Sequence, residues 1–379
     1  MQLSVIILNY NVRYFLEQCV LSVQKALEVI DSEIIVVDNH SSDDSCAMMK
    51  QRFPNVKLIE NKENSGFPKG NNIGVAQAKG EYICILNPDT AVAEDTFEKV
   101  LTFAQSKTDL GILGCKLIDG TGNFLPECKR GVPTPWVALT KIFGLYKFFP
   151  KSSFFNKYYA QHLSENETGK VDILVGAFML MKRDLYLEVG GFDENCFMYS
   201  DDIDLSYMVL KSGKQNYYFH ETSVIHYKGE STVRDEKYVA RFREAMQFFY
   251  KKHFGGSFIF DVLMRMGAFA FSLLKKSQQK NNVFQADETI FFTKNEHLLS
   301  LDFSVTYHSQ LQDFVSNPNV NYKLVFDTHS FTNKEIIDFM ERNKSKNLTF
   351  SNYVSSSHFI IGSNNANDIG EVINLTKNS

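Results

Sequence analysis

A chain of 379 residues with 44% apolar and 22% charged side chains is not disordered, and it is long enough for two domains, one large and one small. A formal charge of -4 argues against bulk binding to nucleic acid, so no nucleic-acid partner is expected. Six cysteines (Cys19, Cys46, Cys84, Cys115, Cys128, Cys196) lack C-x-x-C spacing and several sit inside apolar runs, which reads as reduced, space-filling thiols.

The chain opens directly on a strand, Leu3 to Leu8, with no charged leader or cleavage site before it, so a cytoplasmic protein is expected. Asn9-Tyr10-Asn11 follows, then a helical pattern from Arg13 to Val29 and a second strand, Glu33 to Val37, that runs into Asp38. Polar residues gather where each strand stops, and the right-handed crossover rule makes this βαβ unit half of a nucleotide-binding sheet. Asp38 either accepts hydrogen bonds from a base or ribose or caps the helix after it. Val56 to Glu60 gives a third strand. After it comes a glycine-rich stretch, Asn64 to Gly74, whose glycines permit tight turns before a helix that runs through Ala78 and whose free N–H groups suit an anion.

Ile83 to Thr90, ICILNPDT, is the stretch around which the rest is organised. Four apolar residues form a buried strand, and the break at Asn87-Pro88-Asp89 delivers a carboxylate at the strand's C-terminal end, where open α/β sheets keep their ligands. Asn87 and Asp89 have the spacing to hold a hard divalent cation that leaves positions open for phosphate oxygens. A plain Pro-Asp turn accounts for the same residues without any ligand. A helix from Glu94 to Gln105 and a strand from Gly111 to Asp119 come next. From Pro133 to Leu163, Trp136, Leu139, Phe143 and Tyr146 recur at helical spacing among lysines, which suits peripheral membrane contact, an acceptor groove or core packing.

Beyond the apolar run Val171 to Met181 lies a second acidic cluster, Asp201-Asp202-Ile203-Asp204. Two unit charges 4 Å apart repel by about 4 kcal/mol at an effective dielectric constant near 20, so the cluster needs a cation, a proton or water, or else exposure at a helix start. A carboxylate here can serve as the base that takes a proton from an acceptor hydroxyl. Ser223 to His226 reads as a strand that ends in an imidazole, with Lys228 just beyond it.

Four segments, VIILNYN (Val5 to Asn11), VVDNHSSD (Val36 to Asp43), GFPKGNNIG (Gly66 to Gly74) and LNPDT (Leu86 to Thr90), make residues 1 to 255 resemble the family-2 glycosyltransferases. The resemblance implies a GT-A fold, which is an α/β, Rossmann-like domain with a mostly parallel central sheet. It implies that Leu8, Tyr10 and Asp38 line the pocket for base and ribose, and that Gly66, Asn71 and Asn87 belong to the nucleotide-sugar site. Asp89 and His226 would hold a divalent metal, Mg²⁺ or Mn²⁺. Asp202 matches the family's catalytic base, while Asp201 stands where the family has Glu, and Asp204 supports the local structure. Asn87-Pro88-Asp89 in place of Asp-x-Asp resembles the subgroup that includes rhamnosyl and related deoxysugar transferases. The function implied is inverting sugar transfer from a nucleotide-diphosphate donor to a glycan or lipid-linked acceptor, in cell-surface polysaccharide or glycolipid assembly. A nucleotidyltransferase and a noncatalytic sugar-nucleotide-binding scaffold are the rival readings.

Residues 256 to 280 form an amphipathic linker in which Phe258 to Leu274 is apolar around most of a helix, suited to a membrane interface, to protein docking or to an oligomer contact. Residues 281 to 379 alternate strand and helix as a small α/β domain, with strands at Thr289 to Phe292, Lys323 to Phe326 and His358 to Ile361 and a helix from Asn333 to Arg342. Asp327 and His329 follow one of those strands, where they suit turn and capping roles or a site of their own.

Overall fold

The computed structural model describes residues 1–134, 137, 159–227, 236–255, 284–295, 305–364 and 370–375. The aromatic segment around Trp136, Lys228 and the apolar run from Phe258 to Leu274 lie outside the described residues.

The first sheet is built on strand β1 (Leu3–Asn9), which is buried at every position and so must lie at the sheet's centre with both faces covered. Helix α1 (Arg13–Ala26) returns the chain to β2 (Ser32–Asp38), and α2 (Ser45–Arg52) leads to β3 (Lys57–Glu60). After α3 (Gly66–Ala76) come β4 (Tyr82–Leu86), the short β5 (Thr90–Val92), α4 (Thr96–Gln105), β6 (Leu110–Ile118) and β7 (Lys129–Arg130). The unit closes with β8 (Gly169–Val171), β9 (Ile173–Leu174), β10 (Phe178–Lys182), α5 (Arg183–Glu188), α6 (Asp201–Lys211), β11 (Gln215–His226) and α7 (Glu236–Phe254).

Among the described residues the sheet order is β3-β2-β1-β4-β10-β6-β11-β5, with β8 paired to β11. The pairings send β1 to β4, β6 and β11 one way and only β5, β8 and β10 the other, which is the mostly parallel α/β sheet expected. Asn9, Asp38, Asn87 and His226 therefore come out at one edge. Because β10 is antiparallel, with Phe178 opposite Leu86, its beginning at Gly176-Ala177 lies at that same edge.

Two local expectations change. The glycine-rich stretch from Gly66 is not a loop ahead of a helix; it is the helix itself. A Cβ at Gly70 would stand 2.4 Å from Leu8 Cδ1, and one at Gly74 2.5 Å from Ile6 Cγ2, so these glycines let α3 settle onto β1. The strand expected at Ser223 to His226 is the end of a twelve-residue strand whose register shifts between Phe219 and Ser223.

The second sheet runs β13-β12-β14-β15-β16-β17, formed by β12 (Glu288–Phe292), β13 (Thr306–His308), β14 (Tyr322–Asp327), β15 (Leu348–Val354), β16 (Phe359–Gly362) and β17 (Glu371–Asn374), with α8 (Asn333–Asn343) beside it. Its first four strands are parallel and its last two pairings antiparallel. One apolar cluster joins Phe15, Ile118 and Ile225 of the first unit to Leu324, Phe326 and Ile361 of the second. Polar ties flank it. Buried Glu17 takes Arg13 Nη1 at 3.1 Å, Arg52 Nε at 2.7 Å and the Ser357 hydroxyl. Glu94 accepts the first N–H groups of α8, from Asn333 at 2.8 Å and Lys334 at 3.0 Å.

Candidate active site

The floor of the site follows from what each strand end needs. Asp38 closes β2 with both oxygens bonded, Oδ1 by Asn9 Nδ2 and Oδ2 by the Ser41 N–H, each at 2.8 Å. Its role within the chain is to anchor the turn after β2. Leu8 is buried against Gly70, whereas Tyr10 is 38% exposed at the rim. Gly66 opens α3 at φ +80°, a left-handed conformation that suits glycine, and a Cβ there would meet the Phe197 carbonyl at 2.9 Å. The Gly66 N–H goes to Asn64 Oδ1 at 3.0 Å and the Phe67 N–H to the Phe197 carbonyl at 3.1 Å, so both are satisfied within the chain. Asn71 is fully buried. Its Nδ2 donates to the Phe67 carbonyl at 2.9 Å while its Oδ1 has no hydrogen-bond partner.

Asn87, Asp89 and His226 come together. Strand β5 places Thr90 opposite His226, which carries the imidazole to the turn after β4. His226 Nε2 lies 3.4 Å from Asp89 Oδ1 and 3.3 Å from Asn87 Nδ2. Asp89 is 2% exposed, and its Oδ1 has no hydrogen-bond donor. Turning the Asn87 amide over would present its carbonyl oxygen to the same point. A carboxylate oxygen buried without a donor beside an imidazole nitrogen is a donor set that fits a divalent cation. Among the described residues no three His, Cys, Asp or Glu side chains gather as a metal site, so such an ion would take its remaining ligands from elsewhere, as Mg²⁺ does from water and phosphate.

The acidic cluster opens α6, and all three carboxylates are buried rather than exposed at the helix start. Each is relieved differently. Asp204 is held by Lys252 Nζ at 2.8 Å and His253 Nε2 at 2.6 Å, which ties α6 to α7 as a structural pair. Asp202 Oδ2 receives Arg130 Nη2 at 2.5 Å and the Gly176 N–H at 3.2 Å. Asp201 is pushed up to about 7, first by burial and second by the charge of Asp202. The cation and the proton that such a cluster requires are thus both supplied.

Arg130 and Gly176 both bind Asp202, and sequence reasoning missed that contact. Arg130 comes from a two-residue strand paired with β9, a local pattern with no motif. The signal available was indirect, namely that three carboxylates in four residues call for a cation. Asn9 was missed as well, although it is fully buried at the end of β1 and bonds Asp38.

The two carboxylate regions meet through the backbone. Asn87 N–H donates to the Ala177 carbonyl at 3.0 Å, and Ala177 follows Gly176, whose N–H binds Asp202. One turn therefore links Asp89 and His226 on one side to Asp202 on the other.

Residues 4–190 match the family model described as Glycosyl transferase family 2. The chain is 29% identical over 244 residues to N-acetylglucosaminyl-diphospho-decaprenol L-rhamnosyltransferase of Mycobacterium tuberculosis, covering 62% of this chain and 78% of that protein. It is 27% identical over 221 residues to Rhamnosyltransferase WbbL of Escherichia coli, covering 54% and 78%. Among solved structures, Mannosyltransferase PcManGT from Pyrobaculum calidifontis, in complex with GDP-Man and Mn²⁺, is 16% identical with a TM-score of 0.49 over 74% of this chain and 76% of that one.

Proposed function

Because the chain belongs to glycosyl transferase family 2 through residues 4–190, we propose that it moves a sugar, with inversion, from a nucleotide-diphosphate donor to an acceptor hydroxyl. The observation that carries this reading is the single turn linking Asp89 and His226 to Asp202. Asp38, Leu8, Tyr10, Asn71 and Gly66 surround the nucleoside, and Asn87 stands beside the diphosphate. Asp89 and His226 would hold a divalent metal, Mg²⁺ or Mn²⁺, which would supply positive charge to offset that of the diphosphate.

Asp202 takes the proton of the acceptor hydroxyl. The hydroxyl oxygen bonds to the anomeric carbon from the face opposite the diphosphate, the carbon–phosphate-oxygen bond breaks, and the nucleoside diphosphate leaves with that electron pair. Arg130 and Gly176 fix Asp202 Oδ2, which leaves the other carboxylate oxygen for the acceptor. Proton transfer of this kind contributes roughly 10²–10⁴ in rate.

The names of the two rhamnosyltransferase relatives support a deoxyhexosyl donor, and the first supports an acceptor carried on a lipid diphosphate. Among the described residues no helix is long and apolar enough to cross a membrane. We place the enzyme in the cytoplasm, in peripheral contact with the membrane that bears such an acceptor, building cell-surface glycan.

A thermal-shift screen of the full chain against UDP, dTDP, GDP and CDP sugars, with and without Mn²⁺, tests the reading. A ligand at 100 times its Kd adds about 2.7 kcal/mol of stability. Stabilisation by one nucleotide class that requires Mn²⁺ supports the site, and no stabilisation by any of them overturns it.

A further inference from the structure

Tyr227 follows His226 at the end of β11, and its backbone N–H donates to the Asp89 carbonyl at 3.0 Å. The residue after one metal-side ligand is thus bonded to the backbone of the other. Its ring is buried, tilted against Phe15 of α1 at a centroid distance of 5.1 Å. A Cβ at Gly120 would lie 3.2 Å from Tyr227 Cδ1, so the ring is closed in on that side as well. Its hydroxyl accepts from Gln18 Nε2 of α1 at 2.9 Å and from Asn352 Nδ2 of β15 at 3.2 Å. Gln18 and Asn352 are both buried, where a polar group without a partner is costly, so the ring is held in one orientation.

Asn352 belongs to the second sheet, to which no chemistry has been assigned. We propose that the second sheet is a positioning element of the metal end of the site: Asn352, acting through Tyr227, sets the 3.4 Å approach of His226 Nε2 to Asp89 Oδ1. This rests on the reading of Asp89 and His226 as metal ligands. Groups bonded directly to a metal's ligands commonly change its affinity by 10–100-fold when they are removed, and Tyr227 and Asn352, acting through backbone and hydroxyl in turn, are expected at the low end of that range.

The test is Mn²⁺ uptake by the full-length chain, read as loss of the free-ion EPR signal, with UDP, dTDP, GDP and CDP present in turn. The variants are Asn352→Leu and Tyr227→Phe. Thr349→Val, a change at another buried polar residue of the same strand, controls for damage to the second sheet. The expected result is a roughly tenfold weaker Mn²⁺ affinity in Asn352→Leu and Tyr227→Phe, with wild-type affinity in Thr349→Val. Each variant should still give a single cooperative metal-free melt, so that lost uptake is read on folded protein. Undiminished uptake in Asn352→Leu and Tyr227→Phe overturns this inference alone, as does an equal loss in Thr349→Val. A wild-type chain that takes up no Mn²⁺ with any nucleotide overturns the ligand reading and this inference with it.

Discussion

Both sheets deliver an aspartate after an apolar strand, and the two aspartates have opposite surroundings. Asp327, at the end of β14, is 1% exposed and fully bonded: Oδ2 accepts from the Thr293 and Ser330 hydroxyls at 2.9 and 2.6 Å, and Oδ1 from the His329 N–H at 3.0 Å. Asp89, after β4, is as deeply buried, yet its Oδ1 has only the imidazole of His226 at 3.4 Å. A buried carboxylate left without donors is costly, so the second sheet has completed its aspartate while the first keeps one short of partners. The sequence signal is the same in both places; the count of donors around the oxygens separates structure from site.

If that contrast holds, chemistry is confined to the first sheet. The largest effect belongs to Asp202→Asn, which should lower transfer by roughly 10²–10⁴ while nucleotide-sugar binding persists. Asp327→Asn should leave the rate per folded molecule within about twofold, since nothing it touches reaches the site. Equal losses in the two would break the contrast. Next in size, Asp89→Ala should remove the Mn²⁺-dependent part of the donor's stabilisation, about 2.7 kcal/mol at 100 times Kd. Asp327→Ala should instead cost about 1–3 kcal/mol of basal stability, because it strands the Thr293 and Ser330 hydroxyls, and should keep the metal-dependent increment. Paired thermal melts with and without Mn²⁺ separate those outcomes.

Asp201 sharpens the contrast through pH. Its carboxyl is raised to about 7 in the folded chain by burial and the neighbouring Asp202 charge, so it holds its proton more tightly folded than unfolded. The stabilisation this brings is complete below the unfolded carboxylate value of about 4 and is lost as pH rises through about 7. Asp201→Asn removes the titration. Its stability relative to wild type should therefore rise between pH 5 and pH 8, by on the order of 1–3 kcal/mol. A stability difference that stays flat across that range would contradict the burial of a proton-holding carboxyl at this site.

Much of this was legible in the residues. Continuous apolar runs gave β1, β2 and β4, and the breaks after them placed Asp38, Asn87 and Asp89 at one edge. Pairings made at a distance were not legible. Arg130 reaches Asp202 across 72 positions, and no local pattern marks it. Strand β15 was missed because LTFSNYV carries Thr349, Ser351 and Asn352 in buried positions, which breaks the apolar run by which a buried strand is recognised. Asn352 is polar there because its partner is the Tyr227 hydroxyl of the first sheet. The Gly66 to Gly74 stretch was misread for a related reason: beyond Gly66, which does take a left-handed turn, Gly70 and Gly74 answer to Leu8 and Ile6 on a neighbouring strand.

The smallest effect concerns how the second sheet is held. Helix α8 begins with a capping box, in which the Thr332 hydroxyl accepts the Glu335 N–H at 3.1 Å and Glu335 Oε2 accepts the Thr332 N–H at 2.8 Å. The next free N–H groups, of Asn333 and Lys334, are taken by Glu94 from the first unit. The helix start is therefore closed half by its own sequence and half by its neighbour, and the two halves use different N–H groups. Thr332→Ala should cost about 1 kcal/mol. Glu94→Ala should cost about 0.3–1 kcal/mol through the loss of a carboxylate at a helix N-terminus. Because no N–H is shared, the double variant should lose the sum of the two to within about 0.5 kcal/mol, with the transfer rate unchanged in all three. A double variant no weaker than Thr332→Ala alone would mean that Glu94 contributes nothing to seating α8, and that the apolar cluster and the remaining polar ties carry the contact between the sheets.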